Sequence, residues 1–277
     1  MNSTRLSKLR DDLMSCLASN HVISRTSGGA GYPERAITPD ISSYDDPRYS
    51  PRIYADPKLY GPGVSRAPWV DQNYPTDAAE IQEYLSGLPK NPGGPTGLIG
   101  PGSIGGPVQW AADPMVFSID HASGEIFQIQ IQRASGLWAA PGGFVDSGEE
   151  DNHRLAAVRE LLEETGLDLS NREPEALIYK GLVDDPRNTD SHYFQVSTYL
   201  FVVPLEEVKS FPFAVQDAHE GIRAVELRAL TKERVSTLFA SHPHCTKLSL
   251  IYLGEHIERY CTMESRERVL TNLLGIL

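Results

Sequence analysis

The sequence predicts an α/β domain preceded by a smaller, irregular N-terminal domain. Two observations carry this. From Met115 onward, segments of strand-like alternation and helical period follow one another, and a Gly/Pro-rich connection from Asn91 to Gly106 separates them from an upstream region without sustained apolar periodicity. The expected division is 1–105 for the N-terminal domain and 106–277 for the α/β domain. At 277 residues and 40% hydrophobic content the chain can supply a core for one large domain or two modest ones.

In chain order, Leu6, Leu9, Leu13 and Leu17 recur at helical spacing and predict an amphipathic helix over about residues 4–18. The stretch from Ser24 to about Pro75 is dense in Pro, Gly, Tyr and Asp and reads as irregular chain, with a helical segment around Ala78 to Leu85. Met115 to Ile119 and Phe127 to Gln132 read as strands joined by a hairpin through His121 to Gly124. The strict Phe-Gln-Ile-Gln-Ile-Gln alternation of the second predicts one buried face. Leu137 to Ala140 is a short apolar strand running into Pro141-Gly142-Gly143. About Asn152 to Thr165 has helical period and is closed by Gly166. Further strands are expected at Ala176 to Leu182, His192 to Val203 and Ile222 to Leu227. Helices are expected at Thr231 to Phe239 and Thr246 to Tyr260, with a last one over Leu270 to Leu277.

Charge narrows the function. With 37 acidic and 25 basic residues the formal charge is −12, which opposes a broad footprint on nucleic acid or an anionic membrane, so any phosphate must be met locally. Cys16, Cys245 and Cys261 form no CxxC pair and suggest neither a disulfide framework nor a zinc site. No apolar run approaches the roughly 18 residues that cross a bilayer. Arg5, Lys8 and Arg10 among serines and leucines suit a mitochondrial transit peptide, whereas Asp11 and Asp12 oppose it; a cytoplasmic location is expected, with the mitochondrion as the alternative. A monomer is expected.

The most informative stretch is Arg159-Glu160-Leu161-Leu162-Glu163-Glu164-Thr165-Gly166-Leu167. Offsets of three and four residues put Glu160, Glu163 and Glu164 on one helix face. Like charges at this spacing cost a few tenths of a kcal/mol per pair, so a cation should offset them. Mg²⁺ takes carboxylate oxygens and bridges to substrate phosphate, and Arg159 can fix one carboxylate by a bidentate pair. A solvated acidic face is the bland alternative, and the spacing alone favours it; the upstream glycines change the balance.

Gly143, Glu149, Arg159, Glu160, Leu161, Glu163, Glu164, Gly166 and Leu167 match in type the Nudix box, G-x5-E-x7-R-E-U-x-E-E-x-G-U with U aliphatic. The segment from Gly143 to Leu167 thus resembles the Nudix hydrolases, with one departure: nine residues rather than seven separate Glu149 from Arg159. The extra pair is expected to lengthen the loop within Glu150 to His153. The resemblance implies a Nudix α/β/α sandwich with a mixed sheet and Mg²⁺ as cofactor, with Mn²⁺ as the alternate ion. It places Glu160 and Glu164 as direct ligands, Glu163 as ligand or base, and Gly143 in the metal-binding set. Nudix enzymes often draw the general base from a loop outside the box, which implies Asp217 or Glu220.

Asn91 to Gly100, Ala111 to Pro114 and the run Tyr179 to Asp190 further resemble the animal mitochondrial ADP-ribose pyrophosphatases and, equally, the tail domain of the ADP-ribose-gated melastatin-type cation channels. This implies ADP-ribose as the small-molecule substrate, with AMP and ribose 5-phosphate as products. Asp185 and Arg187 would then meet the ribose-phosphate part; Arg187 offers five donors suited to a phosphate fork. Internal Asp–Arg pairing within that loop is the bland reading of the same residues. Leu238 to His242 resembles a segment near the nucleotide, where Phe239 replaces the usual Tyr and His242 supplies a polar tip or merely ends a helix. Pro95 and Pro101 stand where the family has Arg. Trp110 and Trp138 are expected to pack rather than to stack on a base. An ADP-ribose sensor with little turnover, or a hydrolase of another nucleoside diphosphate derivative, are the competing readings.

Overall fold

A computed structural model describes residues 2–19, 41, 43–48, 52–53, 86–99, 107–185, 187–215 and 221–277, with only the backbone of 2, 3, 16–19, 52, 53, 98 and 99. The helix expected around Ala78 to Leu85, most of the irregular stretch before it, and Asp217 and Glu220 lie outside these residues.

The chain divides into two compact units. The first comprises Met1–Met14, Ala111–Gly181 and Val196–Leu277, the second Ser15–Trp110 and Leu182–Gln195.

The first unit is organised around a sheet. Its principal strands are β3 (Val108–Ile119, in this unit from Ala111), β4 (Ile126–Gln132), β5 (Trp138–Ala139), β7 (Ala176–Leu182, in this unit to Gly181) and β8 (Tyr193–Val202, in this unit from Val196), in the order β5-β4-β3-β8-β7. β6 (Gly143–Phe144) pairs with β3, and β9 (Ala224–Ala229) with β4, both antiparallel. β3 and β4 form the expected hairpin, with Phe117 opposite Gln128 and Ile119 opposite Ile126. The β3–β8 pair runs parallel: Tyr193 N–H meets Pro107 O at one end and Val203 N–H meets Phe117 O at the other. The sheet is therefore mixed. Pro114 is accommodated inside β3 because β6 pairs residues 111–112 and β4 pairs residues 117–119, so its missing N–H falls between two partners on that side.

Helices cover both faces. α2 (His153–Thr165) lies on one, with Val158 and Leu161 in a core shared with Val116, Ile129 and Phe201. Ala156 and Ala157 meet Ala112, and their small side chains let the helix approach β3 closely. Full burial of Leu161 contributes roughly 2 kcal/mol. Gly166 ends α2 in the left-handed region at φ 78°, its N–H donating to Leu162 O at 2.8 Å. At the other end Asn152 makes no side-chain cap, but His153 is buried and places Nδ1 2.7 Å from Ser197 Oγ of β8.

α5 (His242–Glu255) touches the opposite face, where Gln128 Nε2 lies 3.3 Å from Thr246 Oγ1. α1 (Asn2–Ser19) packs Leu6 against Gly254 of α5, and Arg10 pairs with Glu255 at 3.1 Å. The remaining helices are α3 (Leu205–Val208), α4 (Lys232–Ser236), α6 (Ile257–Tyr260) and α7 (Met263–Ile276). No helix among the described residues is long and apolar enough to cross a membrane.

Three expectations need correction. β4 does not have a solvated face: Gln128 and Gln130 are 0% exposed, as are Ile129 and Ile131. The glutamines satisfy one another, Gln130 Nε2 donating to Gln128 Oε1 at 2.9 Å, and Arg228 Nη1 donates to Gln130 Oε1 at 3.0 Å. The helix expected over Thr231 to Phe239 stops at Ser236, and Ala240 turns into the left-handed region at φ 48°. The helix expected from Thr246 starts instead at His242, with Pro243 in its first turn, where a missing N–H costs nothing, and is interrupted at His256.

In the second unit, β1 (Arg52–Ile53) and β2 (Leu98–Ile99) pair in parallel. The described start of the Gly/Pro-rich connection is not a solvated linker, since Asn91, Gly93, Pro95, Thr96 and Gly97 are buried. Asn91 N–H donates to Asp190 O at 2.8 Å and Asn91 Nδ2 to Thr189 O at 3.1 Å, while the Asp190 carboxylate accepts from the backbone N–H and hydroxyl of Thr96 and the N–H of Gly97. The connection is thus stapled to the 184–190 loop, as buried backbone donors require.

Candidate active site

The box residues converge on the N–H groups of one guanidinium. Arg159 donates from Nε to Glu149 Oε1 at 2.9 Å and from Nη2 to Glu149 Oε2 at 3.0 Å, a bidentate pair. Its Nη1 reaches Glu160 Oε1 at 2.8 Å and Glu163 Oε2 at 3.0 Å, and Nη2 also donates to Phe144 O at 2.9 Å. The two extra residues before α2 therefore leave Glu149 in register with Arg159: they are absorbed in the turns that precede His153. Hydrogen bonding from Arg159 holds the Glu149 carboxyl below its ordinary value, and Glu149 and then Glu160 hold the guanidinium firmly charged.

Glu160 and Glu164 are buried on α2, whereas the Glu163 side chain is more than a third exposed. Glu164 Oε2 accepts the Gly142 N–H at 2.8 Å. The glycine loop is shaped around these groups. A Cβ on Gly143 would overlap the Glu160 carboxyl, and one on Gly142 would overlap Asp113 Oδ1. Gly142, at φ 150°, also has backbone geometry that side chains disfavour. Asp113, buried on β3, is a site-lining carboxylate that spacing could not reveal, because it lies 29 residues before Gly142.

Among the described residues no three His, Cys, Asp or Glu side chains form a group that could hold a metal ion. The donor chemistry nevertheless fits a hard cation: carboxylate oxygens on a rigid helix, beside a glycine that leaves their space clear, suit an ion that completes its shell with water and substrate oxygens.

Phe239 and His242 stand beside the same loop. Phe239 N–H donates to Trp138 O at 2.8 Å, and Ala140 N–H donates to His242 Nδ1 at 3.0 Å. The two rings are 6.2 Å apart, and the Arg133 guanidinium lies 4.6 Å from the Phe239 centroid. Trp138 carries Arg228 over its ring at 3.9 Å, a stacking partner that the expectation of simple packing did not include.

In the second unit, Arg187 binds Asp185 through both Nε and Nη2, at 2.7 and 2.8 Å, and lies 4.1 Å from the Phe194 ring centroid. The internal Asp–Arg pair weighed from sequence is thus formed. It fixes the guanidinium plane, with the side chain 21% exposed.

A family model described as NUDIX domain matches residues 115–244. The chain is 31% identical over 223 residues to the putative nudix hydrolase 6 of Caenorhabditis elegans, covering 73% of this chain and 80% of that protein. It is 30% identical over 216 residues to the mitochondrial ADP-ribose pyrophosphatase of Rattus norvegicus, covering 67% of this chain and 60% of the relative. Similarity at 38% over 136 residues extends to the transient receptor potential cation channel subfamily M member-like 2 of Nematostella vectensis, covering 39% of this chain and 9% of the channel.

Proposed function

The chain belongs to the Nudix family, and on that premise we propose that it hydrolyses the pyrophosphate of ADP-ribose to AMP and ribose 5-phosphate. The observation that carries this reading is the gathering of Glu149, Glu160 and Glu163 by Arg159, with Glu164 held by the Gly142 N–H beside them. A solvated acidic face would not bury two of its carboxylates or build a glycine loop around them.

Glu160 and Glu164 hold Mg²⁺, or Mn²⁺ in its place, with Glu163 as a further ligand or as base and Gly143 leaving room for the Glu160 carboxyl. When bound, the ion neutralises diphosphate charge and lowers the pKa of a coordinated water. Arg159 keeps Glu149, Glu160 and Glu163 in one geometry, so little reorganisation accompanies binding. Hydrolysis joins a water oxygen to one phosphorus and breaks its bond to the bridging oxygen. The proton goes to Glu163, Asp217 or Glu220.

The substrate assignment is supported by the ADP-ribose pyrophosphatase among the relatives; with it, we assign the Asp185–Arg187 pair to the ribose-phosphate part. Phe239 is assigned to the nucleotide end, its ring supplying packing surface, with His242 beside it on the same turn.

Release of AMP from ADP-ribose in the presence of Mg²⁺ tests the reading, with NAD and ADP-glucose as competitors. Glu164→Gln is expected to lower kcat on the order of 100-fold with the fold intact. Preferred turnover of another nucleoside diphosphate derivative would move the substrate assignment, and near-normal kcat in Glu164→Gln would remove the metal assignment.

A further inference from the structure

The geometry points to His242 as a positioning residue that holds the glycine loop in place for Glu160 and Glu164. This rests on reading that loop and α2 as the catalytic centre.

Ala140 is buried, so its N–H needs an acceptor inside the protein, and His242 Nδ1 supplies one at 3.0 Å from 102 residues away. Pro141 follows and has no N–H of its own. The next N–H in the chain, that of Gly142, is the one that holds Glu164, and Gly143 is the residue packed on the Glu160 carboxyl. A shift at Ala140 therefore passes through a stiff proline to both carboxylates.

The segment that delivers His242 is built for this contact. Phe239 N–H binds Trp138 O and Ala140 N–H binds His242 Nδ1, so the 239–242 turn is tied to β5 and the residue after it at two points. Between them Ala240 adopts φ 48°, the only positive value for a non-glycine among the described residues, at a cost of roughly 1–2 kcal/mol. Strain of that kind persists where surrounding contacts impose it. An acceptor at Nδ1 also places the neutral ring's proton on Nε2.

Three substitutions in the full chain separate positioning from direct ligand contact. The Asn side chain carries an acceptor near the Nδ1 position, whereas Gln reaches toward the Nε2 position. His242→Ala is expected to accelerate hydrogen exchange of the Ala140 amide, weaken Mn²⁺ binding measured by EPR titration, and lower kcat about 10- to 100-fold with KM for ADP-ribose within about two-fold. His242→Asn should restore most of all three and His242→Gln should not. Restoration by Gln, or a raised KM with Ala140 exchange unchanged, overturns the proposal in favour of a ligand contact. If His242→Ala does not fold, the Asn and Gln variants decide the matter. Should the wild-type chain leave ADP-ribose intact, the exchange and Mn²⁺ measurements still test the positioning role, while the substrate reading fails separately.

Discussion

Arg159 uses each of its five N–H donors: two on Glu149, one each on Glu160 and Glu163, and one on the Phe144 carbonyl. A lysine has three donors at a single point and cannot reproduce that fork. Arg159→Lys is therefore expected to destabilise the chain by about 2 kcal/mol and to lower kcat at least 10-fold, measured by denaturant unfolding and steady-state kinetics; an unchanged midpoint would show that the fork is dispensable. The carboxylate face was legible in the sequence because a three-and-four spacing on a helix fixes which side chains share a face. The glycine-loop partners were not legible. Asp113 and His242 reach the loop through the sheet and through a turn 102 residues beyond Ala140, and no local pattern encodes such meetings.

Among the elements, α2 depends on its ends as much as on its apolar face. Gly166 adopts a left-handed conformation that costs a residue with a β-carbon roughly 1 kcal/mol, and its N–H closes the helix on Leu162. Gly166→Ala is expected to lower the thermal midpoint by a few degrees, about 1 kcal/mol, while leaving KM unchanged; a larger loss accompanied by altered Mn²⁺ binding would mean that the cap also sets the Glu163–Glu164 turn. Strong periodicity made α2, β7 and β8 readable, and the capping glycine marked where α2 stops. The two-residue β6 and the early stop of α4 carry no comparable signal: one is defined by its pairing with β3 and the other by the strained turn at Ala240.

For the molecule as a whole, acid is the telling stress. His192, 2% exposed in the second unit with Ser191 Oγ 2.9 Å from its Nδ1, has its pKa pushed by burial from 6.5 down to about 4. Between those values the unfolded chain takes up a proton that the folded chain refuses. Stability is therefore undiminished by this group above 6.5 and falls as pH drops towards 4, by up to about 3 kcal/mol. Glu149, depressed by Arg159, adds a loss at lower pH still, below its ordinary 4.5. Urea midpoints of the wild type and His192→Gln between pH 7 and 5 check this: the wild-type curve should fall more steeply, and parallel curves would exclude the histidine. The fold class was readable because alternating and helical segments succeed one another. The packing of 182–195 with the earlier residues was not, because it depends on Asp190 and Asn91 meeting across nearly a hundred positions.

The doubly buried β4 has a bearing on alignment between strands. An Ile-Gln-Ile-Gln repeat looks the same to hydrophobicity after a slide of two positions, so oil-and-water sorting fixes which side faces which helix but not how far along the strand each neighbour sits. The side-chain amides remove that degeneracy: only one placement lets Gln130 receive Arg228 while Gln128 reaches Thr246. The glutamines thus act as a vernier, telling equivalent notches apart where greasy residues cannot.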